Sequence, residues 1–417
     1  MRIAFIGDLQ YGAAERDRVV RELRRVASLR PDFAVFMGDH AGQRLGSVGG
    51  LLDLRELMDG LGCPYHAILG NHDVECYPGS YYDSAPVAEY REVFGRDPWR
   101  AEIFGGVLFL FVTVERQPRD MMRTVNAVFM SEWQFSWLED QLRAHPGVPT
   151  VLVTHAPAPG SGVRRALPLH CGSVDTYLDQ TYDAARWRRL MREYPQIRAW
   201  FSAHLHMGHD YDSAITEQHG AAHVSCGVFV EYSRDGAHHT RFADIDGDRM
   251  TVLTLDHDRA DTALAEDAVI DLSGRSGAVG RVARIPDGEM LLGEDGVRWV
   301  KRVASTVEDG EAAYERYFVA TENGLLWEYD PALGEFCGAL MLGGGCRALT
   351  FDGERLYVET DGDERFSVGA FDRDRFDRIG AFTPQAKRAE RELRGETAED
   401  VSYTTRRSAE GLWVKFW

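Results

Sequence analysis

The chain has 417 residues, of which 44% are hydrophobic, so it is long enough for two or three packed domains of about 150 residues each. This excludes a short peptide, a fibre and a disordered tail. The 47 Lys and Arg residues stand against 66 Asp and Glu residues, and the formal net charge of −19 disfavours nucleic acid and anionic membranes as partners.

Short apolar runs that stop at polar residues predict buried strands. In chain order the predicted strands cover residues 3–6, 33–37, 67–69, 107–114, 151–153 and 199–201. Helical spacing of apolar residues predicts helices over residues 14–28, 131–144 and 184–193. Strands that alternate with helices indicate an α/β layered domain, in which ligands bind at the carboxyl ends of the strands.

The pattern changes after about residue 258 to short strands and turns, which predicts a first domain over residues 1–258 and an all-β accessory domain over residues 259–417. Residues 317–330 resemble residues 356–372 at an offset of about 40 residues, near the length of a propeller blade. The copies are too few to predict a closed propeller. The accessory domain is expected either to cover a pocket of the first domain or to form a homo-oligomer contact.

The polar residues that follow the strands of the first domain are almost all of metal-ligand types. They are Asp8, Gln10, Asp39, Asn71, His72, His155, His204 and His206. If the strands share a sheet, their carboxyl ends converge and these side chains meet in one pocket. The pattern therefore predicts a binuclear metal site, in which a shared carboxylate holds two divalent ions about 3.5–4 Å apart and the chemistry is phosphoester hydrolysis.

The series Asp8-x-Gln10, Gly38-Asp39, Gly70-Asn71-His72-Asp73, His155 and His204-x-His206 resembles the calcineurin-like metallophosphoesterase superfamily in order and spacing, over residues 1 to 255. The resemblance implies a four-layer fold, a two-sheet β-sandwich flanked by helices. It also implies a distribution of ligands over two metals. The first metal would be held by Asp8, Gln10 and His206, the second by Asn71, His155 and His204, and Asp39 would bridge them. His72 would act as general acid or charge stabiliser.

Gln10 departs from the family pattern, which usually has His at that position. An amide oxygen is a harder ligand than an imidazole, so Gln10 favours Mn²⁺ or Mg²⁺ over iron or zinc. Gln10 either ligates the metal or hydrogen-bonds a metal-bound water. Followed by Tyr11, it is similar to the manganese-dependent ADP-ribose and CDP-alcohol diphosphatases of the superfamily. A second departure is that no acid follows Asp39 closely, so the partner that would orient His72 is unassigned, and Asp73 is expected to tether its own loop.

The expected function is hydrolysis of a phosphoester bond in a small phosphorylated metabolite or nucleotide, of the phosphodiesterase or diphosphatase type. Tyr11, Arg164 and Arg165 are the candidate substrate contacts, although a solvated position is the alternative for both arginines. A phosphomonoesterase of a biosynthetic pathway is the alternative within the class. A binding or scaffold protein with a degenerate metal site is the alternative from another class.

Compartment is predicted from the cysteines and the first strand. The six cysteines include no Cys-x-x-Cys pair, which favours buried thiols in a reducing compartment over a disulfide framework or a zinc knuckle. The predicted strand that begins at Ile3 leaves no room for a signal peptide, and no apolar run approaches the roughly 20 residues of a membrane helix. A cytoplasmic protein is therefore expected.

Overall fold

The fold is described from a computed structural model. The structure describes residues 1–11, 16–40, 48–74, 86–117, 128–158, 161, 184–211, 214–228, 233 and 235–284, together with the C-terminal strands given below. The helices of these residues are α1 (Arg16–Ser28), α2 (Val48–Asp59), α3 (Pro86–Phe94), α4 (Glu132–Ala144) and α5 (Ala184–Glu193). Every helix among the described residues is too short or too polar to span a bilayer.

The first sheet has seven strands, in the order β13-β12-β11-β10-β1-β2-β3. Its strands are β1 (Arg2–Ile6), β2 (Phe33–Phe36), β3 (Tyr65–Ala67), β10 (His239–Asp246), β11 (Arg249–Asp256), β12 (Leu264–Asp271) and β13 (Val279–Gly280). The three N-terminal strands are parallel to one another, and the others pair antiparallel. The loops after β1, β2 and β3 therefore all leave the sheet at the same end of the strands.

The second sheet also has seven strands, in the order β14-β8-β9-β7-β6-β5-β4. Its strands are β4 (Arg100–Phe104), β5 (Val107–Phe111), β6 (Thr150–Val153), β7 (Ile197–Ser202), β8 (Ile215–Gln218), β9 (Ala221–Ser225) and β14 (Ala283–Arg284). β5, β6, β7 and β9 run parallel to one another. The loops after β6 and β7 consequently also leave their sheet at the same end of the strands.

The two sheets pack face to face and carry helices on their outer faces. Residues of β1 alternate: Phe5 packs between the sheets, where its ring stacks on Phe201 at a centroid distance of 4.1 Å, and Ala4 and Ile6 pack toward the helices. The outer core of the first sheet includes residues of α1, α2 and α3, and that of the second sheet residues of α4 and α5. Because both faces of these strands are covered, the runs are apolar throughout. The predicted four-layer α/β sandwich is confirmed.

The predicted helices agree with α1, α4 and α5, and Ser131 caps α4 by accepting a hydrogen bond from the N–H of Gln134. The strand predicted over residues 107–114 ends earlier, at Phe111. The reason is that the next residues cross between the sheets: the N–H of Val112 donates to Val153 O, whereas that of Val114 donates to Leu69 O. The strand predicted over residues 67–69 lies at Tyr65–Ala67, where the ladder to β2 forms.

The C-terminal region forms three further sheets among its described residues. The first is β15-β25-β24, made of β15 (Glu289–Leu291), β24 (Tyr403–Ser408) and β25 (Gly411–Phe416). The second is the meander β16 (Val297–Ser305), β17 (Tyr314–Thr321), β18 (Leu325–Asp330) and β19 (Glu335–Met341). The third is the meander β20 (Cys346–Phe351), β21 (Arg355–Thr360), β22 (Arg365–Gly369) and β23 (Phe376–Arg378). The two resembling segments lie on equivalent hairpins, β17-β18 and β21-β22.

The N-terminal sheets extend beyond residue 258. β12 and β13 belong to the first sheet and β14 to the second, so strands as far as Arg284 pair with the sandwich. The division of the chain at residue 258 stays a prediction. Its local basis is the change to short strands, which does not identify the sheet that each strand joins.

Glu22 on α1 forms a buried ion-pair cluster with the segment after β11. Its carboxylate lies 2.8 Å from His257 Nδ1 and 3.3 Å from Arg25 Nη1. Burial opposes ionisation, but the hydrogen bond with His257, together with Arg21 and Arg25, lowers the pKa of Glu22 to about 2. Burial also lowers the pKa of His257, so the arginines supply the positive charge at pH 7. A carboxylate with a depressed folded-state pKa stabilises the fold above its unfolded pKa, and that stability is lost as the pH falls toward the folded value.

We therefore expect Glu22→Gln to lower the free energy of unfolding at pH 7 by about 1–2 kcal/mol, after allowance for solvent screening. The difference from the parent chain should shrink as the pH falls from about 5 to about 2, because Glu22 takes up a proton first in the unfolded chain and then, near pH 2, in the folded chain. Denaturant unfolding at several pH values measures it. Glu266→Gln, at a largely exposed site, should change little, and a pH-independent difference for Glu22→Gln would contradict the assignment.

Candidate metal centre

The predicted ligands converge where the parallel strands of both sheets end. In the described part of the chain, two groups of three side chains have ligand atoms that lie within 4.8 Å of one another. One consists of Asp39, His155 and His204, and the other of Asp8, Asp39 and His206. All five residues are buried. Asp39 belongs to both groups, as expected for a bridging carboxylate.

His155 is the centre of the first group. Its Nε2 lies 3.2 Å from Asp39 Oδ2, 3.0 Å from Asn71 Oδ1 and 3.1 Å from His204 Nδ1. The other ring nitrogen, Nδ1, lies 2.8 Å from Met37 O, a partner that can only accept, so Nδ1 carries a proton. Nε2 is thereby the ring atom that could ligate a cation in place of its own proton, and it faces three atoms that have lone pairs. Such a donor set fits a divalent cation.

The electrostatics of the first group favour positive charge at this place. Burial by itself lowers the pKa of an imidazole, but the carboxylates of Asp39 and Asp8 raise the pKa of His155 to about 9. His204, which is also fully buried, has its pKa well below the ordinary value because of burial and of the neighbouring His155. His204 is therefore a neutral ring, the form that ligates metals.

The second group is centred on His206. Its Nε2 lies 3.1 Å from Asp8 Oδ1 and 3.0 Å from the amide of Gln10. The other oxygen of Asp8 accepts a hydrogen bond from the N–H of His204 at 2.8 Å. The structure thus brings Gln10 to the group with which it was predicted to act. The amide nitrogen faces His206, and a half-turn of the amide would present its oxygen instead.

The backbone is strained at these ligands. Seven non-glycine residues have positive φ in the described residues, and five of them are candidate ligands. They are Asp8 (38°), Gln10 (38°), Asp39 (50°), His204 (70°) and His206 (50°). Residues with side chains rarely adopt this region, and they do so mainly where a functional site requires it. The strain therefore supports a functional role for the cluster.

Hydrogen bonds tie the ligand loops to one another. The N–H of His72 donates to Asp39 Oδ1 at 2.9 Å. Asp73 accepts from the N–H of Gly70 at 2.8 Å and from the N–H of His40 at 2.9 Å, so it joins the loop after β2 to the loop after β3. The tethering expected of Asp73 is present, and it extends to a second loop.

Gly70 is required by the close approach of the bridging carboxylate. A Cβ at this position would lie 2.2 Å from Asp39 Oδ1, closer than any contact between unbonded atoms. Gly70→Ala should therefore displace Asp39 and lower the affinity for Mn²⁺ by about 10- to 100-fold, the range found when residues supporting metal ligands are changed. Titration with Mn²⁺ measures the effect. Gly60→Ala, where the nearest contact would be 3.1 Å away, is the control; equal affinities in both variants would refute the crowding argument.

The remaining predicted site residues are less closely defined. The side chain of His72 is partly exposed, next to the buried ligands. Tyr11 donates its N–H to His40 O at 2.7 Å and its hydroxyl accepts from Arg16 Nη1 at 3.3 Å. Arg164 and Arg165 lie outside the described residues, so substrate contact by these arginines and by Tyr11 stays a prediction.

The sequence patterns did not predict two residues that lie near the site. Thr113 and Gln134 are buried and hydrogen-bonded to each other, and Thr113 contacts the segment that precedes Asn71. A polar residue at position 134, within the apolar stripe of α4 that includes Phe135 and Leu138, was the available signal.

Comparison with known proteins gives one matching family model and several solved structures of limited similarity. A family model described as calcineurin-like phosphoesterase matches residues 1–208. A dimetal phosphatase from Danio rerio is 14% identical, with 60% of this chain and 95% of that chain covered and a TM-score of 0.42. TT1561 of Thermus thermophilus is 12% identical (65% and 98% covered, TM-score 0.36). The phosphopantetheinyl hydrolase of Mycobacterium tuberculosis is 16% identical (54% and 89% covered, TM-score 0.34). A search of curated proteins gave no match. Likenesses this distant carry no argument about the substrate.

Proposed function

Residues 1–208 belong to the calcineurin-like phosphoesterase family, and from that premise we propose that the chain hydrolyses a phosphoester bond with the aid of two divalent cations. The observation that carries this proposal is the membership of Asp39 in both groups of ligand atoms. A carboxylate that belongs to both groups can be shared between two cations. Gln10 beside His206 supports Mn²⁺ as the metal, because an amide oxygen is a hard ligand.

The residues of the proposed site have different roles. A bound cation pair supplies an acidified water and binds phosphoryl oxygens. Asp8 and Asp39 provide the negative charge that the cations require, whereas Asn71 provides a neutral oxygen and leaves the second site more positive. His72, whose backbone is held by Asp39 and whose side chain reaches the surface, is suited to donate a proton to the leaving group or to offset its charge.

The proposed substrate is a small phosphorylated metabolite or nucleotide with a diester or diphosphate bond. The net charge of −19 argues against a nucleic acid polymer. The pair Gln10-Tyr11 supports the diester or diphosphate type over the monoester type, through its similarity to the manganese-dependent diphosphatases.

A substrate screen of the full chain tests the proposal. The protein is loaded with Mn²⁺, its metal content is measured, and it is assayed with an aryl phosphate, a bis-aryl phosphate, nucleoside diphosphate derivatives and phosphorylated metabolites. Two Mn²⁺ per chain and turnover of diesters or diphosphates are expected. Turnover of monoesters alone would identify a phosphomonoesterase. Less than one divalent ion per chain, with no turnover, would overturn the proposal and favour a binding or scaffold protein.

A further inference from the structure

Gln134 is a fully buried amide on the face of α4 that packs against the second sheet. Its Oε1 accepts the N–H of Thr113 at 2.8 Å, and its Nε2 donates to Thr113 O at 3.1 Å. One side chain thus binds both backbone polar groups of Thr113, as a neighbouring strand would. A buried polar side chain with all these groups paired defines one arrangement of the segments that it joins.

Thr113 in turn holds the loop that carries Asn71 and His72. Its Oγ1 accepts the N–H of Leu69 at 2.8 Å, and the next residue, Val114, donates its N–H to Leu69 O at 3.0 Å. Both backbone groups of Leu69 are therefore held by the segment that crosses between the sheets. Leu69 directly precedes Gly70, Asn71 and His72.

The other end of the network lies in the first turn of α4. Glu115 accepts from the amide of Gln134 at 2.7 Å and from the N–H and Oγ of Ser131 at 2.7 and 3.0 Å. Ser131 in turn caps α4. The network therefore connects a helix terminus, which is rigid, to a loop that must hold a ligand.

We propose that Thr113 and Gln134 are positioning residues for Asn71 and His72, acting through the backbone of Leu69. This rests on the proposed function only for the roles of the two residues that are positioned. Loss of the Thr113 hydroxyl would leave the buried N–H of Leu69 without its acceptor. The loop would shift to pair that group, which displaces Asn71 from His155 and His72 from the substrate.

The test compares Thr113→Val, which removes the hydroxyl at nearly constant shape, with Thr113→Ser, which keeps it. Thr216→Val is the matched control, because Thr216 is also fully buried but its hydroxyl has no hydrogen-bond partner in the described part of the chain. Each variant is checked for folding by circular dichroism and thermal melting. Affinity for Mn²⁺, kcat, KM and amide hydrogen exchange are then measured.

We expect Thr113→Val to lower kcat and the affinity for one of the two Mn²⁺ ions by about 10- to 100-fold, with amide exchange accelerated over residues 69–72. Thr113→Ser should stay near the parent chain, and Thr216→Val should match it. If Thr113→Val binds Mn²⁺ and turns over like the parent, or if Thr113→Ser is equally damaged, the proposal is overturned. If the parent chain itself neither binds Mn²⁺ nor turns over, the proposed function fails, and exchange at residues 69–72 still decides the positioning proposal. Unfolding of Thr113→Val leaves Gln134→Met to be measured in the same way, with the same two outcomes.

Discussion

Asp39→Asn is expected to abolish binding of the cation pair and to lower kcat/KM by about 10³-fold or more, because a metal ion contributes several kcal/mol to the transition state. Asp39 is fully buried, and its two oxygens are directed to different partners: Oδ1 accepts from the N–H of His72, and Oδ2 lies 3.2 Å from His155 Nε2. Burial opposes ionisation, but the imidazoles of His155 and His72 hold the pKa of Asp39 well below its ordinary value. We therefore expect the carboxylate of Asp39 to be anionic at neutral pH.

Asparagine has nearly the same shape but no charge, so the variant separates the charge from the packing. The measurements are metal content after Mn²⁺ loading and hydrolysis of the best substrate from the screen. Asp246→Asn, at an exposed position on β10, is the control and should behave like the parent chain. A variant of Asp39 that retains two Mn²⁺ ions and full turnover would exclude the bridging role.

His72→Asn is expected to lower kcat by about 10²- to 10⁴-fold, the range for loss of a general acid, without changing the metal content. The contact between His72 and Asp39 is made by the backbone N–H, which the substitution keeps. If His72 protonates the leaving group, the loss should be large for alkyl esters and small for a nitrophenyl ester, whose leaving group needs no proton. If His72 only offsets charge, the loss should be similar for both.

His219→Asn is the control for His72→Asn. His219 is partly exposed in the turn between β8 and β9 and has a φ of 51°, which asparagine tolerates. It should leave kcat unchanged. A collapse of metal content in His72→Asn would instead assign His72 to the ligand set, and an unchanged kcat would remove it from the reaction.

The convergence of the ligands could be predicted from the sequence because each ligand directly follows an apolar run. Asp8 follows β1, Asp39 follows β2 and His155 follows β6, and the carboxyl ends of parallel strands meet at one edge of the sandwich. The local pattern was therefore enough to predict an α/β layered domain and the juxtaposition of these side chains, whereas the four-layer sandwich was implied by the resemblance to the calcineurin-like superfamily.

The supporting contacts could not be predicted, because they depend on pairings between distant segments. Nothing local to Thr113 indicates that its hydroxyl binds Leu69, 44 residues earlier. Likewise nothing in the sequence of β12 indicates that its partner is β11. Local sequence reports which face of a strand is buried, whereas the partner is decided by the packing of the whole chain.

The left-handed backbone at five candidate ligands lowers the stability of the fold at the positions that carry the donor atoms. A glycine at any of these positions would adopt the same φ at lower cost, but it would carry no donor atom. Glycine would therefore give a more stable fold at each of these five positions, which are Asp8, Gln10, Asp39, His204 and His206. The strained conformations at these five positions therefore lower the stability of the fold in exchange for donor atoms that glycine lacks.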